Sequence, residues 1–150
     1  TYEVHTPDGT FSSHDPYARA CGVNGHRSMV IDLSKTDPDG FADEDRPKLA
    51  DPMSMVITEV SIADVSADAS AHSRYPGKFK AFTEDKILSY FKDMGVTHLQ
   101  LMPSYDFASI DESDSLKEQY NWGYDPYNYN VPEGSYSTDP FNGAVESERV

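Results

Sequence analysis

A dense group of aromatic and polar residues lies between positions 120 and 136. Its aromatic members are Tyr120, Trp122, Tyr124, Tyr127, Tyr129 and Tyr136. Interleaved with them are Asn121, Asp125, Asn128, Asn130 and Glu133. The apolar face of a sugar ring packs on an aromatic ring, while its hydroxyls need fixed donors and acceptors nearby. The segment therefore has the composition of a carbohydrate-binding surface, although each ring taken singly could equally pack the segment onto a core.

The residues before this segment predict a strand, a helix and a second strand. The β-branched apolar run Met55–Ile62 predicts the first strand, and Val96–Met102 predicts the second. Between them Thr83–Met94 predicts a helix, with Thr83 as the N-cap and Gly95 as the C-terminal stop. The apolar face of this helix consists of Ile87, Leu88, Tyr90, Phe91 and Met94. Strands in this order pair in parallel through a right-handed crossover, which predicts an α/β fold.

The first third of the chain predicts β structure followed by a surface connector. Short β-prone runs alternate with turn signals over Thr1–Leu33, including the turn Pro7-Asp8-Gly9 and the run Met29-Val30-Ile31. Residues 34–52 are rich in proline, glycine and acidic side chains, which is typical of a connector. We therefore expect a domain boundary near Asp51, with one unit over residues 1–50 and a second over residues 51–150.

The charge of the chain limits the partners it can bind. Aspartate and glutamate outnumber lysine and arginine by 26 to 12, for a formal net charge of -14. Such a surface repels the phosphates of nucleic acids and of anionic membranes, whereas a neutral polysaccharide carries no such penalty. We expect no nucleic-acid and no membrane partner. No signal peptide or apolar span is visible, and the sequence leaves a cytoplasmic or a secreted location open.

Neither a metal site nor a cofactor is predicted. The histidines are scattered without the spacing of metal ligands, and the acidic residues do not form a calcium-binding loop pattern. Cys21 is the one cysteine, so the chain has no internal disulfide, and we expect it to be a small buried apolar residue.

The order of residues in the aromatic segment is much more specific than its composition. Residues 120–126 read YNWGYDP, which resembles the signature of the type I pullulanases within the α-amylase superfamily. Residues 129–140, the strand runs 57–64 and 95–103, and the segments 15–18 and 28–32 are also similar to that family. The chain departs from it at Thr58-Glu59-Val60-Ser61, where many relatives have a Tyr-Glu-Leu-His type of sequence.

The resemblance implies an incomplete (β/α)8 TIM barrel, represented by its first two strands and first helix and preceded by the tail of a β-sandwich. Residues 1–50 would be the end of a starch-binding type of sandwich and a linker, and residues 51–150 the N-terminal portion of the glycoside hydrolase barrel. Val145–Val150 resembles the start of the second barrel helix.

The resemblance also implies a bacterial, pullulanase-like glycoside hydrolase that cleaves α-1,6 linkages in pullulan, amylopectin or related α-glucans with retention. The catalytic carboxylates would lie beyond residue 150, so we assign none here and expect the segment alone to be inactive. By the match, Tyr124 stacks on the sugar at the cleavage subsite and Asp125 is an adjacent binding or shaping residue. Trp122 and Asn121 would line the same cleft. A structural calcium can occur in the parent enzyme, but this segment offers no support for it.

Two alternatives remain open. One is another debranching or branching enzyme of the same superfamily, against which the presence of Asn121 and Trp122 in the full signature argues. The other is a non-catalytic glucan-binding module.

Overall fold

The computed structural model describes residues 1–45, 47–114 and 119–145. These residues form a mixed α/β structure with three two-stranded sheets. The strands are β1 (Tyr2–Thr6), β2 (Gly9–Ser13), β3 (Ile57–Val60), β4 (His98–Leu101), β5 (Tyr105–Phe107) and β6 (Pro126–Pro132), and the helices are α1 (Ile62–Ala67) and α2 (Asp85–Asp93). The helix start expected over 145–150 falls mainly on residues 146–150, which lie outside the described residues.

The predicted parallel pairing of two strands around a helix is confirmed. β3 and β4 pair in parallel, with Ile57 opposite His98 and Val60 opposite Leu101. The first strand ends earlier than predicted because Ser61 is the N-cap of α1, and its hydroxyl accepts a hydrogen bond from the Asp64 amide at 3.4 Å. The short helix α1 was not predicted, since Ile62 continues the apolar run of the strand.

The N-cap of helix α2 lies one residue later than predicted. Thr83 belongs to the preceding 3-10 turn, and Glu84 is the N-cap residue. The Glu84 carboxylate accepts hydrogen bonds from the Ser73 hydroxyl at 2.6 Å and from the Arg74 amide at 3.1 Å. The buried Glu84 side chain thus ties the start of α2 to a loop ten residues earlier. At the other end Gly95 has φ +75°, as expected for a glycine stop.

The apolar face of α2 is only partly buried in the described chain. Ile87 and Phe91 form a core cluster with Val60 of β3. Tyr90 and Met94, predicted on the same face, are 60% and 51% exposed. They line an open groove of about 800 Å³ that runs beside β3 and α2.

The N-terminal segment contains one hairpin and a long exposed connection. β1 and β2 pair antiparallel around the predicted turn at Pro7-Asp8. The β-prone run Met29-Val30-Ile31 forms no strand, and Val30 is fully exposed. Residues 34–52 lie on the surface, as predicted, apart from the buried Thr36 and the undescribed residue 46.

The segment around residues 14–28 packs against β6. The ring of His14 meets the ring of Tyr127 edge to face at 5.1 Å. Ala18 and the buried Cys21 form a core cluster with Val131. β6 in turn pairs antiparallel with β5, with shifts in register at both steps of the ladder. In the part of the chain that is described, no helix has the length and apolar character that a membrane span requires.

Candidate functional site

The YNWGYDP segment lies at the carboxyl ends of the two parallel strands. The Tyr120 hydroxyl donates to the Asp64 carboxylate at 2.7 Å, and Asp64 belongs to α1, which follows β3 directly. This bond with Asp64 raises the pKa of the Tyr120 hydroxyl. Gly123 packs under Pro103, two residues after the end of β4, and a Cβ added at Gly123 would collide with the Pro103 carbonyl oxygen. The sharp turn at Gly123, with φ +87°, therefore requires glycine.

The two rings predicted to meet a sugar are accessible. Trp122 is 61% exposed and Tyr124 is 64% exposed, on either side of the turn at Gly123. A cavity of about 380 Å³ lies next to them, and Lys78, Tyr120, Asn121 and Tyr136 are among its lining residues. Trp122 and Tyr124 do not line this cavity. Both rings are exposed to solvent outside it.

Asn121 and Asp125 form a closed set of hydrogen bonds with Ser109, which we call the polar triangle. The Ser109 hydroxyl donates to Asp125 Oδ2 at 2.7 Å, and Asn121 Nδ2 donates to Asp125 Oδ1 at 2.7 Å. Asn121 Nδ2 also donates to Ser109 Oγ. The Ser109 and Asn121 bonds lower the pKa of the Asp125 carboxyl. Each Asp125 carboxylate oxygen thus accepts a bond within the protein, and each has a second lone pair that can accept a bond from a ligand at this exposed position.

A second set of polar side chains, made of three carboxylates, is buried in the fold. We call Asp106, Glu112 and Glu133 the carboxylate cluster. One carboxylate oxygen from each of them lies within 4.8 Å of the other two. Glu133 Oε2 accepts the Phe107 amide at 2.9 Å, and Glu133 Oε1 accepts the Ser135 amide at 2.8 Å. Glu133 therefore fastens the end of β6 to β5 and caps the turn that follows.

Burial sets the electrostatics of the carboxylate cluster. The Glu133 side chain is fully buried, and this burial raises the pKa of its carboxyl from 4.5 to about 7. Lys78 donates to the Ser135 carbonyl at 2.6 Å. Burial lowers the pKa of the Lys78 ammonium, and the nearby charges of Glu133 and Glu112 oppose that change. The positive charge of Lys78 thus partly offsets the negative charge of the cluster.

The carboxylate cluster does not have the access that glycoside hydrolysis requires. A retaining glycosidase needs two carboxyl groups about 5 to 5.5 Å apart that both reach the sugar. Asp106 is 3% exposed and Glu133 is 0% exposed, so neither faces solvent. Among the described residues, the cluster is the grouping with the spacing of metal ligands, and its hard oxygen atoms are of the type that calcium prefers.

Several residues that support the YNWGYDP segment could not be identified from the sequence. Asn24 donates to Asp111 Oδ1 at 3.0 Å and accepts from the Glu112 amide at 2.8 Å. Ser109 and Lys78 were also missed. These contacts join positions far apart in sequence, so no local pattern marks them.

Pullulanases are found both among the curated relatives and among the similar solved structures. No family model matches the chain. A pullulanase of Bacillus subtilis (strain 168) is 36% identical over 135 residues, which cover 84% of this chain and 18% of the relative. Pullulanase 1, chloroplastic, of Arabidopsis thaliana is 30% identical over 169 residues, covering 87% of this chain and 18% of the relative. The crystal structure of pullulanase from Paenibacillus barengoltzii in complex with maltohexaose and α-cyclodextrin superposes with a TM-score of 0.89 at 42% identity.

The chain is homologous to pullulanases. Its relatives are starch-debranching glycoside hydrolases with an α-amylase type of fold. The chain covers 18% of the length of the two curated relatives, and the match to the Paenibacillus barengoltzii structure covers 96% of this chain and 24% of that one. The similarity therefore extends over nearly all of the segment, but over a small part of each relative.

Proposed function

We propose that this chain is part of a longer polypeptide that hydrolyses α-1,6-glucosidic linkages in pullulan, amylopectin or related α-glucans. One observation carries the proposal: Trp122 and Tyr124 are exposed on one turn, in a fold that superposes on a pullulanase whose structure was determined with maltohexaose. The segment provides part of the glucan-binding surface.

The proposed architecture is the start of a (β/α)8 barrel. In this proposal β3, α2 and β4 are the first strand, first helix and second strand of the barrel, within residues 51–150. Residues 1–50 end a preceding β-sandwich module and form a linker. The parallel register of β3 and β4 supports this arrangement. So does the place of the YNWGYDP segment, because active sites of such barrels lie at the carboxyl ends of the strands.

The proposed reaction proceeds with retention of configuration. A carboxylate attacks the sugar to form a glycosyl-enzyme intermediate, which water then hydrolyses with the help of a second carboxyl group. Following the family resemblance, we assign both catalytic groups to parts of the polypeptide outside these 150 residues, and the burial of Asp106 and Glu133 is consistent with this. The role of this segment is to hold the sugar at the reacting position.

Tyr124 is the residue proposed to stack on the sugar nearest the scissile bond. Trp122 extends the aromatic surface, and Asn121 and Asp125 line and shape it. A stacked ring can strengthen its contact as the sugar flattens toward the transition state, so Tyr124 should affect kcat as well as binding.

The test compares Tyr124→Ala with Tyr17→Ala in the complete polypeptide. Both rings are well exposed, with Tyr17 at 82%, but Tyr17 lies outside the proposed surface. Stacking contributes about 0.5 to 1.5 kcal/mol, so we expect kcat/KM on pullulan to fall roughly three- to tenfold for Y124A and to stay unchanged for Y17A. Equal kinetics for the two variants would contradict the site. Product analysis on pullulan and on glycogen separates this activity from other debranching or branching reactions.

A further inference from the structure

The polar triangle connects the aromatic turn to a residue outside the YNWGYDP segment. Ser109 lies two residues after β5 and twelve before Asn121. Its hydroxyl donates to Asp125 and accepts from Asn121, so a single group joins both flanks of the turn that carries Trp122 and Tyr124. A serine hydroxyl can do this because it is both a donor and an acceptor.

The triangle also determines the backbone of the turn. Asn121 Oδ1 accepts the Gly123 amide at 2.7 Å, while Asn121 Nδ2 is held by Ser109 and Asp125. The orientation of the Asn121 amide group is thus set by the triangle, and that orientation places the Gly123 amide. Because Asp125 is charged, its bonds are of the stronger, charge-assisted kind.

Two exposed rings on a turn need such support. Trp122 and Tyr124 are 61% and 64% exposed, so packing against a core holds them only in part. A ligand that must order a loose turn loses affinity, whereas a turn that is already ordered avoids this loss. We propose that Ser109 is a positioning residue of the glucan-binding surface and holds the Trp122–Tyr124 turn through Asn121 and Asp125. This inference rests on the proposed function.

The test uses four variants of the complete polypeptide: Ser109→Ala, Ser109→Thr, Asp125→Asn and the double variant S109A/D125N. Ser34→Ala is the matched control, because the exposed Ser34 hydroxyl also donates to an aspartate, Asp32, at 2.7 Å, away from the site. Two quantities are measured: kcat/KM on pullulan, and the hydrogen exchange rate of the Gly123 amide.

We expect S109A to lower kcat/KM about tenfold, the low end for the loss of one hydrogen bond to a charged group because the position is exposed, and to speed exchange at Gly123. S109T keeps the hydroxyl, and its position is exposed, so it should stay within about twofold of wild type. S109A/D125N should be no worse than D125N within about twofold, because both changes break the same triangle. S34A should change neither quantity.

Three results would overturn the inference. The first is unchanged exchange at Gly123 in S109A. The second is a loss of activity in D125N but not in S109A, which would mean that Asp125 acts on the sugar without the triangle. The third is a loss in S109T as large as that in S109A. A wild-type polypeptide that cannot hydrolyse pullulan refutes the proposed function instead, and exchange at Gly123 then still decides whether Ser109 holds the turn.

Discussion

Glu133 makes the stability of the β5–β6 region depend on pH. Its carboxyl is fully buried, and burial raises its pKa from an ordinary 4.5 to about 7. The folded state therefore holds this proton more tightly than the unfolded state does. The stabilisation that this proton provides is fully present below pH 4.5 and is lost as pH rises from 4.5 to about 7. Above that range the ionisation of Glu133 no longer changes the free energy of unfolding with pH.

The size of the effect follows from the pKa change. At 1.36 kcal/mol per pKa unit, the rise of the Glu133 pKa from 4.5 to about 7 corresponds to a change of about 3 kcal/mol in the free energy of unfolding, as an upper bound. The amides of Phe107 and Ser135 oppose the rise, because each donates to the carboxylate. Asp106 adds to it through charge repulsion.

The assay compares wild type with Glu133→Gln, which cannot ionise. In the complete polypeptide, hydrogen exchange of the β5 and β6 amides, corrected for the intrinsic rate, gives the free energy of local opening. From pH 4.5 to 7, wild type should lose up to about 3 kcal/mol relative to E133Q. Since the glutamine also loses an acceptor oxygen, the slope with pH, not the absolute value, is diagnostic. Glu44→Gln, at an exposed position, is the control. Parallel curves for wild type and E133Q would refute the reasoning.

Two further predictions concern single residues. Gly123→Ala should reduce kcat/KM on pullulan in the complete polypeptide, because the new Cβ meets Pro103, whereas Gly40→Ala, with a similar φ of +83° and no atom within 4 Å of the new Cβ, should leave it unchanged; equal kinetics for the two variants would argue against the contact with Pro103. Glu84→Gln should speed exchange of the Arg74 amide near pH 6, because hydrogen bonds, chiefly from Ser73, lower the pKa of Glu84 to about 2. That difference should shrink as pH falls from 4.5 toward 2, and a pH-independent difference would contradict it.

For β3, α2 and β4, local patterns predicted the element better than its ends. The apolar runs and the helical face were sufficient to predict β3, α2, β4 and their parallel pairing. The end of β3 was missed because Ser61 caps α1 within the apolar run. The predicted cap Thr83 was wrong because Glu84 is held by Ser73 and Arg74, which are distant in sequence. The run around Val30 has strand propensity but does not join a sheet.

In the candidate site, too, the sequence predicted some features and missed those that depend on tertiary contacts. The sequence indicated that Trp122 and Tyr124 could meet a sugar, and both rings are exposed in the structure. Their roles stay predictions until the variants are measured. The sequence could not indicate what holds them, since Ser109 and Pro103 meet the turn only through the tertiary fold. The ionisation of Glu133 was likewise inaccessible, because its pKa depends on burial.

The contacts of Asn24 bear on how this protein can be divided by engineering. Asn24 bonds to Asp111 and to the amide of Glu112, and Cys21 packs on Val131 of β6. A truncation or chimera that begins at residue 51 would strip these partners and leave the outer side of β6 open to water. The same cut would remove Gly25, which packs directly on Asp106 and Asn128. A transplantable unit that contains β6 therefore has to include residues 14–28.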